Sequence, residues 1–125
     1  MLKGYDKEEA IALILSRIHA EDYQMLPADQ LHDLIGQCID ADFAYMTDTD
    51  ILRPDGSDGD YYYNNNNAFA CIVSALFQRN RLSQEFLTDI SNLVADYMDF
   101  NRSYLERKGL KYHVDERLPI GYVSW

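Results

Sequence analysis

Positive charge is scarce in this sequence. Only 11 Lys and Arg residues stand against 21 Asp and Glu residues among 125 in total, which gives a formal net charge of −10. A protein that binds nucleic acid directly needs a basic stripe that neutralises the phosphates. The sequence contains no such stripe, so we expect no direct contact with nucleic acid.

Long apolar runs are also missing, and none approaches the roughly twenty residues that a membrane-spanning helix needs. The N-terminal segment lacks the layout of a signal peptide, because acidic residues precede a short apolar run and Arg17 interrupts its continuation. The two cysteines, Cys38 and Cys71, stand alone inside helical patterns, without the spacing of metal ligands. These features predict no membrane association and a cytoplasmic location with reduced thiols.

The sequence does contain enough apolar material for a core. Apolar residues make up 47% and aromatic residues 13%, which argues against disorder despite the net charge. A chain of 125 residues fits one domain, so we expect a single helical domain over residues 1–125. Apolar residues that recur at helical spacing predict an all-α bundle of four main helices. The helices are expected from Asp6 to about His19, from Pro27 to about Thr47, from the asparagines at 64–67 to Gln78, and from Ser83 to Gly109.

The third helix begins in an unusual stretch, "DYYYNNNNAFACIVSALFQ" at residues 60–78. Asparagine is a favoured N-cap, so Asn67, or an asparagine just before it, is expected to start the helix. One side of the helix carries large apolar residues, and the other carries small ones such as Ala70, Cys71 and Ser74, where an ordinary surface helix has charges. We therefore interpret the stretch as the beginning of a central helix, surrounded by other helices or by another subunit.

The C-terminal stretch "LKYHVDERLPIGYVSW" at residues 110–125 does not follow a helical pattern. Tyr112 and Val114 alternate with polar residues, and a Pro-Ile-Gly turn signal comes after them. This pattern predicts a short strap, either extended or folded as a β-hairpin, and it does not distinguish the two. We expect any homo-oligomer to form through the third helix or through this strap.

Aspartates are concentrated between residues 28 and 60, where nine of them stand against a single base, Arg53. A solvated helix face and turns in the next loop explain such a pattern without any ligand. The functional alternative is an electronegative surface that binds a basic protein partner, or that imitates DNA phosphates and so inhibits a DNA-binding protein. The residues assigned to this candidate surface are Asp29, Asp33, Asp40, Asp48, Asp50, Asp55, Asp58 and Asp60.

Two polar residues fall on helix faces that are otherwise apolar: Asp42 in the second helix and Asn101 in the fourth. A buried carboxylate needs a partner, so we expect Asp42 to bond a tyrosine hydroxyl, Asn101, a histidine or an arginine. Such a cluster is either a structural network or the floor of a polar pocket in an enzyme or small-ligand-binding protein. The candidate pocket residues are Asp42, Asn101, Tyr45, Tyr97 and Tyr104.

No complete site for a metal, a cofactor or a catalytic reaction emerges from the sequence. An EF-hand loop needs an oxygen ligand at its first position and glycine at its sixth, but taking Gly56 or Gly59 as the sixth puts Ile51 or Pro54 at the first. We therefore predict no metal ligands, no cofactor and no catalytic residues. The preferred function is a small acidic, non-enzymatic interaction or regulatory module that binds a basic protein through residues 28–60.

Overall fold

The computed structural model describes residues 2–110, in which four α-helices pack as a bundle. The helices are α1 (Lys7–Leu15), α2 (Leu31–Asp48), α3 (Asn65–Asn80) and α4 (Leu87–Lys108), with short 3-10 helices at Ala20–Tyr23, Ala28–Gln30 and Gln84–Phe86. These residues contain no strand, and Leu52 and Asp58 form one isolated antiparallel bridge. The prediction of an all-α bundle of four helices is confirmed, although α1 ends at Leu15 rather than near His19. α2 begins at Leu31 rather than at Pro27, and α4 begins at Leu87 rather than at Ser83, because a short 3-10 helix precedes each of them.

The sequence also predicts a C-terminal strap and no membrane-spanning helix. The predicted C-terminal strap lies outside the described residues, apart from Leu110. Within the part of the chain that the structure describes, no helix combines the length and the apolar character needed to cross a membrane.

The helices contact one another around a shared core. α2 packs against α1 and α3, and α4 packs against the same two helices. α2 and α3 run antiparallel, because Tyr45 near the end of α2 contacts Asn64 just before α3, while Gln37 pairs with Asn80 at the other end. This arrangement leaves the inner faces of α2 and α4 directed towards each other across the core.

α2, rather than α3, is the central helix of the bundle. Eleven of the 18 residues of α2 are buried, whereas in α3 only Ala68, Ile72 and Leu76 are buried. Small side chains on the far side of α3, among them Ala70 and Ser74, are exposed. The prediction of a central third helix is therefore wrong for the single chain. Small uncharged side chains expose little apolar surface, so their presence does not by itself indicate burial.

Three helix ends are closed by the kinds of residue that the sequence predicts. Asp6 caps α1, because its carboxylate accepts a hydrogen bond from a backbone N–H three residues later, at 3.1 Å. Asn64, rather than Asn67, caps α3, and its side-chain oxygen accepts a hydrogen bond from the backbone N–H of Asn67 at 2.9 Å. The later asparagines consequently form the first turn. α4 ends at Gly109, which adopts the left-handed conformation with φ of 67°.

The loop between α2 and α3, residues 49–64, is held closely against the end of α2. Ile51 is buried, and its backbone N–H donates to the Met46 carbonyl at 2.8 Å. Gly59 passes so near the beginning of the loop that an added Cβ would lie 2.0 Å from the Asp50 carbonyl oxygen. A side chain is excluded at this position, so the glycine allows the two halves of the loop to lie together.

Candidate functional site

Asp42 is a buried carboxylate on α2 and is only 1% exposed. Tyr63, at the end of the loop, donates a hydrogen bond to its Oδ1 at 2.8 Å. Tyr97, on α4, donates a hydrogen bond to its Oδ2, also at 2.8 Å. Of the partners expected for Asp42, the tyrosine hydroxyl is therefore the one present, a second tyrosine joins it, and both carboxylate oxygens are occupied.

Burial changes the acid–base behaviour of this cluster. Loss of solvation raises the pKa of Asp42 to about 6, although the hydrogen bonds from Tyr63 and Tyr97 act in the opposite direction. Burial, reinforced by the charge of Asp42, raises the pKa of the Tyr97 hydroxyl and of the Cys38 thiol. Tyr97 therefore remains a hydrogen-bond donor at neutral pH, and Cys38 remains a thiol rather than a nucleophilic thiolate.

Asn101 belongs to a second buried cluster beside the first. It is 2% exposed, and its side-chain oxygen accepts a hydrogen bond from the Tyr5 hydroxyl at 2.6 Å. The Tyr5 ring packs edge-to-face against Phe43 and Tyr104, with centroid distances of 4.9 and 5.1 Å. The N-terminal segment before α1 thus supplies the hydrogen bond to the Asn101 side-chain oxygen, and it joins α2 to α4 through aromatic packing.

Tyr45 and Tyr104, the remaining candidate pocket residues, are also buried and hydrogen-bonded. The Tyr104 hydroxyl accepts a hydrogen bond from the backbone N–H of Asp6 and donates one to Glu9, both at 3.1 Å. The Tyr45 ring packs edge-to-face against Tyr63, with 5.7 Å between the centroids. The structure therefore collects the five candidate pocket residues in one tyrosine-rich core in which their polar groups have partners.

A small groove lies on the surface between α2 and α3. Its volume is about 220 Å³, and it is lined by Gln37, Asp40, Ala41, Ala75, Leu76 and Arg79. Asp42 is not among these residues, and its exposure of 1% leaves it packed inside the bundle. The groove consequently offers no route for a ligand to the Asp42 carboxylate.

The eight aspartates predicted to bind a partner lie along α2, the short helix before it and the loop after it. Asp50 is half-buried, and the other seven are exposed. The backbone N–H of Asp60 donates to the Asp50 carboxylate at 3.3 Å, so these two residues lie side by side. On α2, Asp33 and Asp40 are about 10 Å apart along one face, because seven residues span about two helical turns. We call the whole set the aspartate surface: Asp29, Asp33, Asp40, Asp48, Asp50, Asp55, Asp58 and Asp60.

Two cations, Lys7 and Arg53, pair with the aspartate surface in the described part of the chain. Lys7 on α1 lies 2.9 Å from Asp40. Arg53 lies 3.5 Å from Asp60 and 4.0 Å from Asp50. Solvent-exposed pairs of this kind contribute little to stability, and two cations do not balance eight carboxylates. The surface therefore retains a large excess of negative charge.

Local hydrogen bonds fix some of these carboxylates without neutralising them. Asp55 accepts hydrogen bonds from the Ser57 hydroxyl at 2.6 Å and from its backbone N–H at 2.9 Å, and they lower the pKa of Asp55. Asp33 accepts a hydrogen bond from the side-chain amide of Gln37 at 2.8 Å. The carboxylate of Asp55 is accordingly both ionised and held in one orientation at neutral pH.

Metal-ligating side chains are dispersed over the described residues. No three His, Cys, Asp or Glu side chains there form a group that could hold a metal ion. In the loop, Asp55 is used in a turn with Ser57, and Asp60 is directed towards Arg53. His32 instead lies 3.2 Å from Glu8 on α1, where it forms a surface contact between two helices.

Three consecutive tyrosines, which sequence reasoning does not assign to a site, take different positions. Tyr61 and Tyr62 are 65% and 49% exposed, whereas Tyr63 is 4% exposed and bonds Asp42. The run itself is a signal, since three aromatic residues beside an acidic loop are unusual. Its division into exposed and buried members depends on the path of the loop, which helical periodicity does not predict.

Comparison with known proteins finds no relative of this chain. No family model, no curated protein and no solved structure matches this chain.

Proposed function

We propose that this protein is a non-enzymatic interaction or regulatory module that binds a basic protein partner through the aspartate surface. One observation supports the proposal: eight aspartates along α2 and its flanking segments are paired with two cations, Lys7 and Arg53, in the described part of the chain. A surface with so large an excess of one charge attracts partners of the opposite charge and raises their association rate.

The range of this attraction defines the kind of contact to expect. At physiological ionic strength the Debye length is about 8 Å, so exposed charges that are farther apart than this interact only weakly. The partner must therefore place lysine or arginine side chains directly on the aspartate surface. Its association rate should fall as the salt concentration rises, because the encounter is steered by these charges.

The alternative of an enzyme or small-ligand protein with a pocket at Asp42 has weaker support. Both oxygens of Asp42 accept hydrogen bonds from tyrosine hydroxyls, and the side chain is nearly inaccessible to solvent. A ligand would have to displace Tyr63 or Tyr97 from a packed core before it reached the carboxylate. An arrangement of this kind is typical of a structural network.

The proposal is tested by removing charge where the described residues supply no pairing Lys or Arg. Asp29, Asp33 and Asp48 are exposed, and no lysine or arginine in the described part of the chain pairs with them. Changing all three to Asn preserves their size, and it leaves Asp33 able to accept its hydrogen bond. We expect the association rate with a polylysine peptide to fall by about tenfold at low salt in stopped-flow measurements.

A matched control separates the local surface from the net charge. Glu21, Asp99 and Glu106 are exposed acids outside residues 28–60, and changing them to Gln, Asn and Gln removes the same total charge. We expect this variant to bind the peptide nearly as fast as the wild type. Equal rates for the two triple variants would show that only net charge matters, and the proposal would then be wrong.

The narrower hypothesis of a DNA mimic makes one additional prediction. A protein that imitates DNA phosphates occupies the DNA-binding surface of its partner, so duplex DNA should compete for the complex. If a basic partner is bound and an excess of duplex DNA does not displace it, the mimic hypothesis fails. The broader proposal of a basic protein partner is unaffected by that result.

A further inference from the structure

Tyr61 and Tyr62 are two consecutive exposed aromatic residues near the end of the loop. They are 65% and 49% exposed, whereas tyrosine is of intermediate burial in folded proteins on average. The backbone N–H of Tyr61 donates to the Asp50 carbonyl at 3.1 Å, and Tyr63, directly after the pair, is fixed in the core by Asp42. The pair is therefore presented to solvent by a backbone that is held on both sides.

The charges near this pair are mainly negative. Asp60 precedes Tyr61 directly in the chain, and Asp50 lies beside both of them through its backbone and side-chain hydrogen bonds. In the part of the chain that the structure describes, Arg53 contacts these two acids, and its distances to Asp50 and Asp60 are long, at 4.0 and 3.5 Å. Loose contacts of this kind cost little to exchange for those of an incoming cation.

We infer that Tyr61 and Tyr62, together with Asp50 and Asp60, form the loop end of the contact with the basic partner and receive one of its arginine side chains. This inference rests on the proposed function and names the part of the aspartate surface that determines specificity. An exposed aromatic ring beside carboxylates suits a guanidinium group, which stacks on the ring and bonds a carboxylate with two parallel N–H groups. Tyrosine and arginine are also enriched among the residues that contribute most to protein interfaces.

Lysine would be accepted less well at the same place. Its ammonium group is a strongly hydrated point charge without a planar face, so it gains less from the tyrosine rings. On the rest of the aspartate surface, lysine and arginine should be nearly equivalent, because there the attraction is mainly coulombic. A preference for arginine that depends on Tyr61 and Tyr62 therefore distinguishes stacking at these two rings from coulombic attraction on the rest of the aspartate surface.

The test compares two probes, a polyarginine and a polylysine peptide of equal length, on the same variants by fluorescence anisotropy. We expect the wild type to prefer polyarginine, and the double variant Tyr61→Ser, Tyr62→Ser to lose about threefold to tenfold in affinity for that peptide. Its affinity for polylysine should remain close to that of the wild type. The conservative double variant Tyr61→Phe, Tyr62→Phe should retain the preference, because the rings are still present.

One control and one substitute variant make the result interpretable. Leu87→Ser removes an apolar side chain of comparable exposure, 40%, from the first turn of α4 and should change neither affinity. If the double serine variant loses its helical circular dichroism, the single variant Tyr61→Ser is measured in its place, since its ring is the more exposed of the two.

The outcomes separate this inference from the proposed function. If both peptides bind through the aspartate surface and the serine variants retain the full preference for polyarginine, the inference is overturned and the proposed function survives. If neither peptide binds, or if the Asp29, Asp33 and Asp48 triple variant binds as fast as its control, the proposed function fails and the inference fails with it. The inference is supported if the serine variants lose the preference for polyarginine while the phenylalanine variant and Leu87→Ser retain it.

Discussion

Asp42 Oδ2 on α2 lies 2.8 Å from the Tyr97 hydroxyl on α4, inside the bundle. The other carboxylate oxygen accepts the hydroxyl of Tyr63, so one side chain joins α2, α4 and the end of the loop that precedes α3. An ionised carboxylate without partners would be strongly destabilising at such a position, whereas one with two donors fixes the relative position of three segments. The cluster is therefore a structural feature whose contribution can be measured.

The first prediction concerns the hydrogen bond between these two residues. Tyr97→Phe removes the hydroxyl and leaves Asp42 Oδ2 buried without that donor. We expect the free energy of unfolding to fall by about 1–3 kcal/mol at neutral pH, as measured by urea denaturation. Tyr61→Phe, which removes a hydroxyl from an exposed ring, should change it by less than about 0.5 kcal/mol. Equal effects of the two substitutions would contradict the structural role of the cluster.

The second prediction concerns the pH dependence of stability. Burial raises the pKa of Asp42 from its usual value of 3.8 to about 6, so the protonated carboxyl favours the folded state. That contribution is fully present below about pH 3.8 and is lost as the pH rises through about 6. It corresponds to about 3 kcal/mol in total, on the basis of about 1.4 kcal/mol for each pH unit.

Asp42→Asn isolates this effect from the other acids, because the amide does not titrate. We expect the variant to become more stable relative to the wild type by up to about 3 kcal/mol as the pH is raised from about 4 to about 7. Urea denaturation at several pH values measures the difference. A difference that stays constant, or one that changes in favour of the wild type, would mean that Asp42 is not protonated in this range in the folded protein.

Asp42 also illustrates how far the sequence can predict a buried polar site. Helical spacing puts Asp42 between Cys38 and Tyr45 on one apolar arc, so its burial and its need for a partner follow from periodicity alone. Periodicity does not predict that Tyr63 is one of the partners of Asp42. Tyr63 reaches Asp42 because the loop returns to the end of α2, and Tyr5 reaches Asn101 across 96 residues of sequence. Both partners lie in irregular segments, which have no period.

The position of α3, in contrast, is a feature that the sequence pattern predicts wrongly. The small residues on its far side, including Ala70 and Ser74, indicate a packing surface when the sequence alone is considered, but they are exposed in the single chain. Composition reports which contacts a face permits and not whether a neighbour is present. α2, by contrast, has apolar residues over much of its circumference, and that broader pattern corresponds to its central position.

The third prediction contrasts two glycines with opposite roles. An alanine Cβ at Gly36, inside α2, would meet Lys7 and Ile11 side chains at 3.5 and 3.6 Å, which are ordinary contacts. Gly36→Ala should therefore stabilise the protein by about 0.5–1 kcal/mol, because glycine is unfavourable inside a helix. A Cβ at Gly59 would lie 2.0 Å from the Asp50 carbonyl oxygen, so Gly59→Ala must displace the loop.

We expect Gly59→Ala to lower the free energy of unfolding by about 1–3 kcal/mol, and thermal denaturation of both variants measures the contrast. The displaced loop should also weaken binding of the polyarginine peptide, since Tyr61 and Asp50 are joined across this point. Stabilisation by Gly59→Ala would show that the close approach of the two halves of the loop is incorrect.

The last prediction concerns the exposed face of α3. Ser74 is exposed, so Ser74→Lys adds a solvated charge and should change the free energy of unfolding by less than about 0.5 kcal/mol. Ile72→Lys, two residues away and fully buried, should destabilise the protein by more than about 4 kcal/mol. If two copies of the chain associate through this face, Ser74→Lys should weaken that association without affecting the monomer, because it puts like charges into the contact. Sedimentation velocity over a range of protein concentrations tests this expectation. A large loss of stability in dilute, monomeric Ser74→Lys would instead mean that the far side of α3 is buried within the single chain.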